Sequence, residues 1–66
     1  MNFRIEFEQE VDGRWIADIP ELPGAMAYGA TKQEAESKVQ AIALRVIADD
    51  LEREQKTTDH VQFAAA

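Results

Sequence analysis

Chemistry in this chain would have to come from one histidine, thirteen carboxylates and a few hydroxyls, because it has no cysteine. Without thiols there is neither a disulfide nor a thiolate metal site, and a single histidine rules out a His-rich one. His60 could act as a general base only with a nucleophile or an orienting partner beside it. Ser37 lies on the outer half of a helical segment, and Thr57 and Thr58 lie in the connection after it. None of them converges on His60 by sequence logic, so His60 reads as a surface strand residue. The glycines fall singly at 13, 24 and 29, which is no phosphate-cradling loop.

The carboxylates are better read as a surface. Thirteen acids against seven bases give a net charge of −6. Such a chain repels nucleic-acid backbones and suits a basic partner. At 66 residues it makes one domain, residues 1–66. A domain this small buries only about 60% of the surface its unfolded chain exposes. With disulfides and metals excluded, a homo-oligomer, a dimer or tetramer, is the expected source of extra stability. Hydrophobic content of 45% argues against disorder. The sequence holds no run of about 18 apolar residues and no secretory pattern at its start, so no membrane association and a cytoplasmic location are expected.

The elements that position these groups follow from periodicity. "MNFRIEFEQ" alternates, with Phe3, Ile5 and Phe7 on one side and Arg4, Glu6 and Glu8 on the other. That is a half-buried strand. Asp12-Gly13 predicts a two-residue hairpin, whose turn positions both need positive φ. "RWIADI" is the second strand, with Trp15, Ala17 and Ile19 sharing one face and Ile16 and Asp18 the other. Pro20 must end it, since proline cannot donate a ladder hydrogen bond. "PELPG" is a loop in which Pro23 sets φ and Gly24 takes φ > 0. Backbone geometry alone accounts for its residues; the second reading makes the loop part of a partner surface. "AMAYG" is a third strand ending at Gly29.

Thr31 then caps a helix and Glu34 completes a capping box. Ala35, Val39, Ile42, Ala43, Val46, Ile47 and Leu51 recur at spacings of three and four, an amphipathic helix from Lys32 to Glu54. At about 35 Å it outruns strands of about 20 Å, leaving "DDLEREQK" as a solvated overhang. "TDHVQFA" alternates again and is a short last strand, parallel to the first, before a frayed "AAA" end. The fold class is α+β, β-β-β-α-β, with sheet order 3-2-1-4 and one helix on one face.

"DGRWIADIPELPGAMAYGATKQEAESKVQAIAL" resembles the core of the HicB-like antitoxin domain. The elements that carry the resemblance are Asp12-Gly13, Trp15, Ala17, the Pro20-to-Gly24 loop, Gly29, Thr31 and Glu34-Ala35, and it covers roughly residues 3–50. The resemblance implies a partial ribonuclease-H-like sheet. It also implies an antitoxin that covers the active site of a small, basic, RNA-cleaving HicA-type toxin. Many members carry a C-terminal DNA-binding domain; the residues after the last strand leave no room for one, so no direct nucleic-acid binding is expected.

The ribonuclease-H-like resemblance raises a metal-dependent nuclease as an alternative, with Glu6 or Glu8, Asp18, Glu34 or Glu36, and Asp59 as carboxylates. The helix-facing side of strand 1 carries Phe3, Ile5 and Phe7 instead, and Glu34 is engaged in capping. The acids therefore read as a solvated face, and neither a catalytic role nor a cofactor is expected. The expected partner contacts are Glu6, Glu8, Asp18 and Glu21 as acids, with Trp15, Tyr28 and Met26 as anchors. Trp15 and Tyr28 either cap the ends of the core or, for at least one of them, lie on the sheet face that a single helix cannot cover. A solitary self-associating domain without a toxin is the other reading.

Overall fold

The computed structural model describes residues 1–65. Its elements are β1 (Asn2–Gln9), β2 (Trp15–Asp18), β3 (Met26–Gly29), α1 (Lys32–Glu54) and β4 (Gln62–Ala65). The four strands form one mixed sheet in the order β3-β2-β1-β4, with β4 parallel to β1 and the other pairs antiparallel. This is the α+β layout that the alternation and the helical spacing predict.

The β1–β2 turn differs from the expected two-residue hairpin. Gly13 has φ +93 and is the only residue of the turn with positive φ. The Gly13 amide donates to the Glu10 carbonyl at 2.9 Å, and the Glu10 amide donates to the Arg14 carbonyl at 2.7 Å. This is a three-residue turn whose glycine takes up the extra residue in the left-handed region. Asp12 stabilises it from its side chain: Oδ1 accepts from the Arg14 amide at 3.1 Å, and Oδ2 from Arg14 Nε at 2.9 Å.

The Pro20-to-Gly24 loop is two successive turns. The Leu22 amide donates to the Ile19 carbonyl at 3.0 Å and the Ala25 amide to the Leu22 carbonyl at 2.9 Å, each turn having proline at its second position. Gly24, third in the second turn, has φ +87, as a type II turn requires. An Ile19 amide bond to the Ala25 carbonyl at 3.0 Å closes the loop and continues the hairpin one pair past β2 and β3.

Gly29 does more than end β3. A Cβ there would lie 2.5 Å from the Ala35 nitrogen and 2.9 Å from Glu34 Cβ. The helix starts against the bare backbone of the strand. Thr31 Oγ1 accepts from the Glu34 amide at 3.0 Å, while Glu34 Oε1 accepts from the Ala30 amide at 2.7 Å, one residue earlier than in the usual reciprocal box. At the other end Gln55 adopts a left-handed conformation, and its amide donates to the Leu51 carbonyl. The helix has the expected bounds, Lys32 and Glu54; capping logic selects the first, while the left-handed cap at the second is a glutamine instead of the usual glycine or asparagine.

The core lies between α1 and one face of the sheet. Ile5, Ala17, Ile19, Ala25 and Ala27 from the strands meet Ala35, Val39 and Ala43 from the helix. The helix runs closest to β3 and β2, where alanines let it approach. Phe3, Phe7 and Phe63 on the β1–β4 side are half-buried, and the Phe3 and Phe63 rings stand 6.1 Å apart.

The last strand is shorter than expected. It begins at Gln62, so Thr58 to Val61 belong to the connection, and neither His60 nor Val61 is a strand residue. The N-terminus holds this connection: the Met1 ammonium donates to the His60 carbonyl at 2.8 Å, and the Gln62 amide to the Met1 carbonyl at 2.8 Å. Ala64 and Ala65, expected to fray, pair with Arg4 and Ile5; Ala66 lies outside the described residues.

Candidate interaction face

Strand register decides which side chains share the uncovered face. Across β1, β2 and β3 one row runs Glu6, Asp18, Met26 and the next runs Glu8, Ile16, Tyr28. These are the residues opposite in parity to Phe7, Ala17 and Ala27, which face the helix. The open face is therefore acidic at β1, mixed at β2 and apolar at β3. Met26 is 50% and Tyr28 43% exposed, and Ile16 is half-buried between them and the acids. A shallow depression of about 270 Å³ is lined by Glu6, Glu8, Asp18, Ile16 and Met26 with part of Phe7.

The charges on this face are unevenly matched. Arg4 bridges Glu6 at 3.3 Å. Neither Glu8 nor Asp18 has an ion-pair partner among the described residues. Arg14 is held by Asp12 and lies with its guanidinium carbon 5.3 Å from the centre of the Tyr28 ring, closing the top of the apolar strip. The hairpin aspartate thus has a second effect: it positions a cation over Tyr28. The Arg14 backbone amide, hydrogen-bonded to the Asp12 carboxyl, holds its pKa below the ordinary 3.8, with the Arg14 charge assisting.

The structure separates the two expected aromatic anchors. Tyr28 lies on the open face, as does Met26. Trp15 shares the helix side with Ala17 and Ile19; it is half-buried against the core, with Lys32 Nζ 5.8 Å from its ring and 4.6 Å from that of Phe7. Trp15 is therefore an edge of the core, and it drops out of the open-face set. Glu21 is exposed in the loop after β2, outside the lining of the depression. Asp12, Gly13, Pro20, Pro23, Gly24, Gly29, Thr31 and Glu34 all occupy the turn and cap positions described above.

The carboxylates offered for a metal site do not assemble. Among the described residues no group of three or more acidic, histidine or cysteine side chains could hold an ion. Glu34 is bound to the Ala30 amide, and Asp59 stands 3.0 Å from His60 Nδ1 on the exposed connection. Glu6, Glu8 and Asp18 share a face but line a depression that also holds Ile16 and Met26, with no fourth polar group from the helix.

Sequence reasoning missed a second groove, on the β3 edge of the sheet. It has a volume of about 450 Å³ and runs from Met26, Ala27 and Tyr28 onto Ala41 and Ile42 of the helix, with Lys38 and Arg45 at its rim. Ile42 belongs to the helix's apolar stripe in the sequence, but it lies at the stripe's flank and is only half-buried, and the groove opens there. No helix among the described residues is long and apolar enough to cross a membrane. Comparison with protein-family models finds no match, and neither the curated proteins nor the solved structures contain a match to this chain.

Proposed function

We propose that this protein is a non-catalytic interaction module that binds and occludes a small, basic, RNA-cleaving toxin of the HicA type in the cytoplasm. The observation that carries the reading is the open sheet face. Two carboxylates with no ion-pair partner among the described residues, Glu8 and Asp18, border an apolar strip of Ile16, Met26 and Tyr28 that the single helix leaves uncovered. An RNA-cleaving protein must present cations to a phosphate backbone. Carboxylates spaced along a rigid sheet can occupy those cations, and the apolar strip supplies area that excludes water. The resemblance of roughly residues 3–50 to the HicB-like domain supports the same reading.

The mechanism is occlusion. Glu8 and Asp18 meet the basic surface, Glu6 contributes after exchanging Arg4 for a partner cation, and Met26 and Tyr28 anchor the contact. The test is co-purification from the native cell, with the mass of the complex determined and RNA cleavage by the companion measured free and bound. A small basic companion whose cleavage is suppressed by the wild-type chain, but not by a folded Glu8→Lys/Asp18→Lys variant, is the expected result. A companion equally suppressed by that variant would remove the open face from the mechanism. The absence of any basic companion would remove the toxin.

A further inference from the structure

The β3 edge has a property the open face lacks: its backbone is unfinished. In β1–β2 the Glu10–Arg14 bond fixes alternate pairs, so Ile16 and Asp18 turn their amides and carbonyls toward β1. Ala17 and Ile19 then turn theirs toward β3, as the Ile19–Ala25 bond shows. Ala25 and Ala27 answer them, and the backbone groups of Met26 and Tyr28 point outward, away from the sheet. Among the described residues nothing pairs with the Tyr28 amide, and the Met26 amide meets only the Gly24 carbonyl, at 3.0 Å within the turn. The strand reads Met-Ala-Tyr-Gly, with no charge and no proline, so it lacks the devices that keep edges apart.

We propose that β3 is a self-association edge. Two copies pair antiparallel through Met26, Ala27 and Tyr28 about a two-fold axis at Ala27, joining their sheets into one. The pairing is self-complementary at the level of side chains. It sets Tyr28 of each copy directly beside Met26 of the other on the open face, a thioether-on-aromatic contact made twice. It also links Tyr28 amides to Met26 carbonyls across the axis. On the other face only Ala27 meets Ala27, leaving room for the helices. Each helix lies over β2 and β3, so strands about 4.8 Å apart bring the two helices to roughly 10 Å, an ordinary packing distance. Ala41 and Ile42 then close the groove against their own copies. Lys38 and Arg45, long side chains at the rim, reach solvent.

A second copy fits this edge better than an unrelated strand because the contact residues answer one another under a two-fold axis. The inference does not rest on the toxin reading, since it needs neither Glu8 nor Asp18, although it shares the side chains of Met26 and Tyr28 with that reading. If both hold, the joined sheet doubles the acid-bordered strip on one side and can carry two toxins.

Sedimentation equilibrium of the isolated full chain from micromolar to millimolar concentration tests the proposal, together with amide exchange at both ends of that range. The expected result is a monomer–dimer equilibrium in which the Tyr28 amide exchanges more slowly as the dimer forms. Tyr28→Pro removes an amide that makes no bond among the described residues, at an edge position where proline is tolerated. It should weaken the dimer by about tenfold or more. Tyr28→Thr, which keeps the amide, should weaken it less. Met26→Lys places a charge at the axis and should give a monomer with unchanged circular dichroism; it carries the test should the proline variant fail to fold. A monomer throughout the range would overturn the proposal. So would a dimer unaffected by Met26→Lys, or a Tyr28 amide whose exchange ignores concentration.

Discussion

The two faces of the sheet are built from the same strands, their residues taken alternately, and they do opposite things. On the helix side β2 and β3 present Ala17 and Ala27, and the pair just beyond them Ile19 and Ala25, all buried, with Trp15 half-buried at the edge. On the other side the same two strands present Ile16, Asp18, Met26 and Tyr28, none of them fully buried. At β3 the helix side takes alanines, because close approach needs them, while the larger Met26 and Tyr28 face outward, where nothing among the described residues covers them. A hydrophobic residue's size is therefore a poor guide to its burial here. The covered face holds the core, and the uncovered face carries the surface on which the proposed interaction rests.

The sharpest way to break this contrast is to cut into the covered face. Ile5 is fully buried at the centre of the core. Ile5→Ala should cost about 3 kcal/mol, a large share of what a domain this small possesses. Urea denaturation measures it; a loss under about 1 kcal/mol would mean that the core does not depend on β1.

Gly29→Ala comes next. It adds a methyl group 2.5 Å from the Ala35 nitrogen, so the helix start must move. The expected loss is about 2 kcal/mol, by the same denaturation. An unchanged midpoint would show that the strand–helix junction is loose.

The hairpin contributes less, and its contribution depends on pH. The Arg14 amide and guanidinium lower the Asp12 pKa in the folded state below the ordinary 3.8. A carboxyl whose folded pKa is depressed stabilises above its unfolded pKa, and loses that contribution as the pH falls through the folded value. Asp12→Asn should therefore lower the urea midpoint slightly at neutral pH and not at all in strong acid. A difference that stays constant with pH would assign the effect to turn geometry instead of charge.

The smallest expected effect is on the open face. Met26→Ser should change stability by no more than about 0.5 kcal/mol, since the side chain is half exposed and touches little. Paired with Ile5→Ala, it states the contrast in one experiment. A Met26→Ser variant that lost stability only at high protein concentration would connect this face to the self-association edge.

Much of this was legible in the chain. The helix announced its bounds through Thr31 and Glu34 at one end and the last apolar residue, Leu51, near the other. The sheet order followed from two hairpins and one crossover. The parity of each strand taken alone was also plain, because alternation is a local property. The open-face site was only half legible: Tyr28 and Trp15 looked equivalent until the register set them on opposite faces.

Register is where local reading ended. A two-residue turn at Asp12-Gly13 would have set Phe7 opposite Asp18, turning the acid of β2 toward the helix. The three-residue turn seen here sets Phe7 opposite Ala17. One residue in the turn inverts every side chain of the next strand. Local patterning set the helix and the alternation within each strand, since these depend on neighbours three or four residues away at most. Which alternate set faces the helix, and with it which residues are left to meet a partner, was decided by burial across the whole sheet: only the register that buries Ala17 and Ile19, rather than Ile16 and Asp18, lets the helix close on the strands.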